Sequence, residues 1–146
     1  MQTVHSGRVL ELFISVKGKD KEQRDEIFVD IQGVNGDKFY AKDENRSILI
    51  ASDTSYTLAK ESSIYPEYGA LGENILIDIN PYHLSKGDKI VIGEIELEIT
   101  QNCTICNSLS KIDTKLPSIL KSDRGIFSKA LIHGRIKKGD SVKILR

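Results

Sequence analysis

The residues best suited to chemistry are two thiols, Cys103 and Cys106, which are the only cysteines in the chain. They stand in Cys103-Thr-Ile-Cys106, just past an apolar, alternating run. That spacing is half of a zinc site or a redox pair. A zinc site needs two further ligands, and His5, His83 and His133 are scattered without ligand spacing. A thioredoxin-like pair belongs between a strand and a helix of a βαβ unit, whereas the pattern here is a hairpin followed by an irregular segment. One thiolate that carries sulfur or ligates a soft metal asks less of the sequence. Cys106 suits that role because a short helix is expected from Asn107, whose free N–H groups and dipole favour a thiolate. An unassisted cysteine, with a pKa of about 8.5, is only a few per cent ionised at neutral pH.

Four other residues are candidates to surround such a thiol. Arg124, in Ser-Asp-Arg124-Gly125, can fold back onto a thiolate or an anionic cofactor, or remain a solvated loop cation. Glu73 and Asn74 lie between Gly72 and an apolar strand, where they either orient a ligand or cap a turn. Arg46, just before Ser47-Ile-Leu-Ile, reads as a charge guarding a strand edge. Tyr65-Pro66-Glu67-Tyr68 has recognition-loop composition but is expected to pack against the body of the fold.

Elements that position these residues can be read from periodicity. Residues 9–16 and 27–31 are β-branched runs with interleaved polar residues, followed by the Gly33-Val-Asn-Gly36-Asp37 turn cluster. Residues 47–51 form a compact apolar strand, and residues 54–63 a helix capped by Asp53 or Thr54 with Leu58 inside. Strands are expected over residues 73–79, 89–92 and 94–100, the last two joined at Gly93, with Ile95, Leu97 and Ile99 on one face. Leu109, Ile112 and Leu116 recur at helical spacing until Pro117. Residues 126–133 are expected to form another helix, closed by Gly134 at C′, before a final strand within residues 138–145. Gly-Asp recurs at residues 36–37, 87–88 and 139–140, which reads as turn chemistry rather than catalysis. The expected fold is mainly β, a mostly antiparallel barrel with a few short helices.

At 146 residues the chain fits a single domain, residues 1–146, with a core that needs neither disulfides nor metal. Twenty-one basic residues balance twenty-one acidic ones, so net charge offers no long-range attraction for nucleic acid or anionic lipid. With no secretory start and no run near the roughly 20 apolar residues of a bilayer span, the expectation is a cytoplasmic protein with free thiols. The triplets Asn45-Arg46-Ser47 and Asn102-Cys103-Thr104 then carry no glycosylation meaning.

Taken in order, Gly33-Val-Asn-Gly36-Asp37, Arg46 before an apolar strand, Gly72-Glu73-Asn74-Ile75, Gly87-Asp88, Gly93, Thr100-Gln101 with Cys106, Arg124-Gly125 and Lys138-Gly139-Asp140 resemble the MOSC domain. That family, named for the C-terminal domain of molybdenum cofactor sulfurases, also includes small stand-alone proteins and reductases of N-hydroxylated compounds. The resemblance implies a MOSC-type β-barrel. It implies that Cys106 bears a persulfide or ligates molybdenum, with Cys103 as the additional thiol; three residues from Cys106, Cys103 is placed in sequence to resolve such a persulfide as a disulfide. Arg46, Glu73, Asn74 and Arg124 then surround a molybdenum cofactor (molybdopterin). Partners implied are a cysteine desulfurase or other sulfur donor and a molybdoenzyme, because no pyridoxal-phosphate desulfurase region is present. Two departures weigh against direct reductase activity: Phe39 stands where relatives often have histidine, and Asn102-Cys103 where they have Pro-Arg. The leading expectation is therefore a cofactor-binding or sulfur-carrier protein. A molybdenum-dependent reductase and a non-catalytic interaction module are the alternatives.

Overall fold

A computed structural model describes residues 3–18, 21–104 and 107–145, and Cys106 lies outside them. Strand β1 (Thr3–Ser15) is the longest element and the hub of the fold. It is followed by β2 (Lys21–Arg24), β3 (Glu26–Asp30), β4 (Gly33–Val34), a single 3₁₀ turn (Glu44–Arg46) and β5 (Ile48–Ser52). Helix α1 (Asp53–Glu61) leads to β6 (Ile75–Ile77), β7 (Lys89–Ile92) and β8 (Ile95–Asn102). Helices α2 (Asn107–Ile112) and α3 (Leu116–Ile119) precede β9 (Ile126–Ala130), β10 (Gly134–Lys137) and β11 (Ser141–Leu145).

Strands β11, β7, β8, β9, β5, β6 and β1 pair in that order, and the ring closes through β1 with β11. Closure removes the exposed edges that an open sheet would carry. The β5–β6 pair is parallel and the other barrel pairings are antiparallel. Beyond its contact with β6, β1 also pairs with β2, its Leu12–Ser15 stretch opposing Arg24–Lys21. A small second sheet, β10-β3-β4, packs Ile27, Val29, Val34 and Ile136 onto the barrel core.

Apolar periodicity explains this arrangement. Ile95, Leu97 and Ile99 are buried inside the barrel while Glu96 and Glu98 stay partly exposed, as a strand with one solvated face requires. All five residues of β5 are buried. Ile48 and Ile50 join the barrel core, whereas Ala51, with Leu76 of β6, packs under α1, α2 and α3. A strand covered on both faces reads as a continuous apolar run, which is why Ser47-Ile-Leu-Ile lacks alternation. Gly93 makes the β7–β8 hairpin with a positive φ of 60°.

Several local expectations need correction. Residues 126–133 are not a helix: Ile126–Ala130 is strand β9, paired with both β5 and β8, and Gly134 opens β10 opposite Val29 instead of capping a helix. Ile126, Ser128 and Ala130 are fully buried at every second position, a period-2 signal overlooked beside the apolar cluster and glycine. Ser52, not Asp53 or Thr54, caps α1, its hydroxyl accepting from the Thr54 N–H at 3.1 Å. Pro117 lies in the first turn of α3, where a missing N–H costs nothing, so residues 107–119 form two helices. No described helix is long and apolar enough to cross a membrane.

Candidate functional site

One end of β5, the segments flanking β6 and β9, and the turn after β4 enclose a cavity of about 320 Å³. Its apolar wall is a cluster of Leu49, Cys103 and Phe127. Cys103 follows the end of β8 and is held there by its N–H, which donates to the Gly125 carbonyl at 3.0 Å. A Cβ on Gly125 would stand 3.0 Å from Leu49 Cδ1 and 3.7 Å from Cys103 Cβ, so the glycine lets this wall close. Lys21, Lys42, Arg46 and Arg124 also line the cavity, against the two carboxylates Asp37 and Asp43. In a chain with no net charge, that excess of cations is a local arrangement.

Arg46 ends the 3₁₀ turn, whose N-cap Asp43 accepts from the Asn45 N–H at 3.0 Å. Its guanidinium carbon lies 5.2 Å from the centroid of the Phe127 ring, and its Nε is buried without a hydrogen-bond partner. Arg124 is only 5% exposed, and its Nη1 donates to the Leu71 carbonyl at 2.7 Å. The solvated-loop alternative for Arg124 is therefore wrong. Burying a guanidinium is costly unless its donors find acceptors, which ties this arginine to the cavity.

Asn74 lines the cavity, but its amide is committed to the wall. Its Oδ1 accepts from the Leu49 N–H at 3.0 Å, and its Nδ2 donates to the Phe13 carbonyl at 3.3 Å and to Asp37 Oδ1 at 3.2 Å. Asp37 is more than a turn residue. Its carboxylate also accepts from the N–H groups of Ser15, at 2.7 Å, and Phe39, at 3.0 Å, tying the turn after β4 to β1 and β6. Asp88 and Asp140 serve their own turns, accepting from Ser85 N–H and Lys137 N–H. Gly-Asp spacing alone offers no way to distinguish the three.

Glu73 sits behind the cavity wall and is not in its lining. It is completely buried. Its Oε2 accepts from the Tyr56 hydroxyl at 2.5 Å and the Gly69 N–H at 3.2 Å, while Oε1 has no partner. Burial raises its carboxyl pKa, against the opposing pull of Tyr56, backbone N–H groups and Lys21. The Tyr56 phenol is raised as well, by burial first and by the Glu73 charge second. Through Tyr56 and Gly69, Glu73 holds the segment that presents the Leu71 carbonyl to Arg124. Tyr68 stacks edge-on against Tyr56 at 4.9 Å, whereas Tyr65 is 71% exposed.

The structure thus gathers Arg46, Asn74, Arg124 and Cys103 on one cavity and places Glu73 behind them. Lys21, Lys42 and Phe127 are lining residues that the sequence reading did not single out, and Asp37 is one that it assigned to turn chemistry. His5 and His83 pack edge to face at 6.0 Å, and no group of three or more His, Cys, Asp or Glu side chains suited to a metal ion occurs among the described residues. The site expectation for Cys106 falls outside the described residues.

A family model described as the MOSC domain matches residues 29–143. The chain belongs to the MOSC family. It is similar in fold to the YuaD protein from Bacillus subtilis, at 18% identity and a TM-score of 0.82, over 97% of this chain and 98% of that one. It is also similar to YiiM from Geobacillus stearothermophilus, at 16% identity and a TM-score of 0.68, over 96% and 73% of the respective chains. YiiM from Escherichia coli gives 17% identity and the same TM-score, over 95% and 70%. No curated protein matches the chain significantly. As a MOSC protein the chain has the expected barrel, and β1, β2 and Lys21 precede the matched segment.

Proposed function

We propose that this MOSC protein binds the molybdenum cofactor in the cavity beside Cys103 and handles sulfur through Cys106. The observation that carries the reading is the Arg46 Nε, buried without an acceptor at the wall of a cavity rich in cations. An orphaned guanidinium N–H at a binding cavity is satisfied when a ligand oxygen arrives. The residues present fit the group. Arg46, Arg124 and the lining lysines would hold its phosphate, and Leu49 and Phe127 would cover its flat ring system and exclude water. When bound, the cofactor supplies a molybdenum centre that takes soft sulfur ligands.

Cys106 is the sulfur-handling thiol of this reading. Its thiolate attacks the terminal sulfur of a donor persulfide, forming a Cys106 persulfide as the donor's S–S bond breaks and its thiolate leaves. The donor is a protein of the cysteine desulfurase class. Cys103, three residues earlier, is the resolving thiol: its thiolate attacks the inner sulfur, forming a disulfide and releasing hydrosulfide.

The test is elemental mass spectrometry for molybdenum, zinc and iron, with intact-mass analysis, on protein from a cofactor-competent host and on Cys106→Ser. Stoichiometric molybdenum or a one-sulfur adduct in the wild type, lost in the variant, is expected. Equal loading of both proteins would refute the role of Cys106. Zinc in place of molybdenum would return the two thiols to a structural site.

A further inference from the structure

A second lining cation outside any described ion pair is Lys21. It opens β2 opposite Ser15 of β1. Ser15 is fixed on both sides, its N–H donating to Asp37 Oδ1 at 2.7 Å and its carbonyl accepting from the Lys38 N–H at 2.6 Å. The β1–β2 pairing therefore delivers Lys21 to the cavity, whereas Arg46 comes from the 3₁₀ turn and Arg124 from the segment before β9. Lys21 is half-buried, yet among the described residues no carboxylate lies within ion-pair distance of its ammonium.

Burial pulls the Lys21 pKa below the usual lysine range, against the raising influence of Asp37 and Glu73. Asp37, the stronger of those two influences, is already engaged by Ser15, Phe39 and Asn74. A partly desolvated ammonium without a contact partner gains most from an anion that enters the cavity.

We propose that Lys21 is an anion-contacting, specificity-determining residue of the cavity, selecting ligands that carry a phosphate group over their uncharged counterparts. The inference deepens the cofactor reading and rests on the same cavity. Lys21 lies before the family-matched residues, on the β1–β2 segment.

The experiment is isothermal titration calorimetry of wild type, Lys21→Met and Lys21→Arg with three probes: inorganic pyrophosphate, a pterin phosphate monoester, and the same pterin with a free hydroxyl. Thermal melts of each variant establish that it is folded. Wild type is expected to prefer the phosphate ester over the alcohol by about tenfold or more, as one charge-assisted contact allows. Lys21→Met should lose most of that preference and Lys21→Arg should keep it. An unchanged preference in Lys21→Met, or equal binding of ester and alcohol by wild type, overturns the proposal. Lys21-dependent binding of pyrophosphate with no binding of either pterin would uphold Lys21 and sink the cofactor reading. No binding of any probe overturns both. If Lys21→Met melts early but binds the ester as tightly as wild type, Lys21 is only a counter-charge within the wall.

Discussion

Replacing Tyr56 with Phe removes one hydroxyl from the node that holds the buried Glu73. That hydroxyl donates to Glu73 Oε2 at 2.5 Å and accepts from the Gly69 N–H at 3.0 Å. After the substitution the Gly69 N–H keeps its bond to Glu73 at 3.2 Å, so the loss is one donor to a buried carboxylate whose Oε1 already lacks a partner. A hydrogen bond to a charged group contributes roughly 1.5–3 kcal/mol, against about 1 kcal/mol for a neutral one. The expected cost is about 2 kcal/mol where Glu73 is ionised, a fall in Tm of about 4–8 °C for a domain near 150 residues. It should shrink toward the neutral value at acid pH. Urea unfolding of wild type, Tyr56→Phe, Glu73→Gln and the double variant would separate the pair from its surroundings. A coupling energy below about 0.5 kcal/mol between the two sites would refute the assignment of Tyr56 as the partner that holds Glu73. Because this node supports the Leu71 carbonyl that binds Arg124, Tyr56→Phe should also weaken pyrophosphate binding several-fold.

Glu73 itself predicts a pH dependence. Its carboxyl is raised by burial from the ordinary 4.5, so the unfolded chain ionises it at a lower pH than the folded protein does. The stability from this group is complete below the unfolded pKa and is lost as pH rises through the higher folded value. Tm–pH curves of wild type and Glu73→Gln should therefore converge or cross, with wild type losing ground as pH rises from about 4; parallel curves would rule the linkage out. Gly69 has φ 94°, and a Cβ there would stand 3.0 Å from the Phe13 ring. Gly69→Ala should cost about 1–3 kcal/mol through backbone strain and overpacking, and chemical denaturation giving less than about 0.5 kcal/mol would contradict that packing.

The barrel was legible because its strands are short, β-branched and punctuated by Gly-Asp turns, and those signals are local. The thiol pair, Arg46, Glu73, Asn74 and Arg124 stood out in the same way, by residue type and neighbouring punctuation. Where local signals competed, the reading failed: Ile126–Ala130 is apolar enough for either helix or strand, and only the vacant edges of β5 and β8 decide for strand. The site divided along the same line. Arg124 could have been a solvated loop cation until the Leu71 carbonyl and the cavity wall closed around it. Glu73 carried a binding-residue motif, yet register within the fold turns it away from the lining and toward Tyr56. Asp37 lies far from Asn74 in sequence and meets it because both bond to β1, at Ser15 and Phe13, whereas Lys21 reaches the same cavity through the pairing of β1 with β2. Sequence determined which groups are available and which elements they ride on. Long-range strand pairing, which sequence spacing does not encode, determined which of those groups face one another across the cavity.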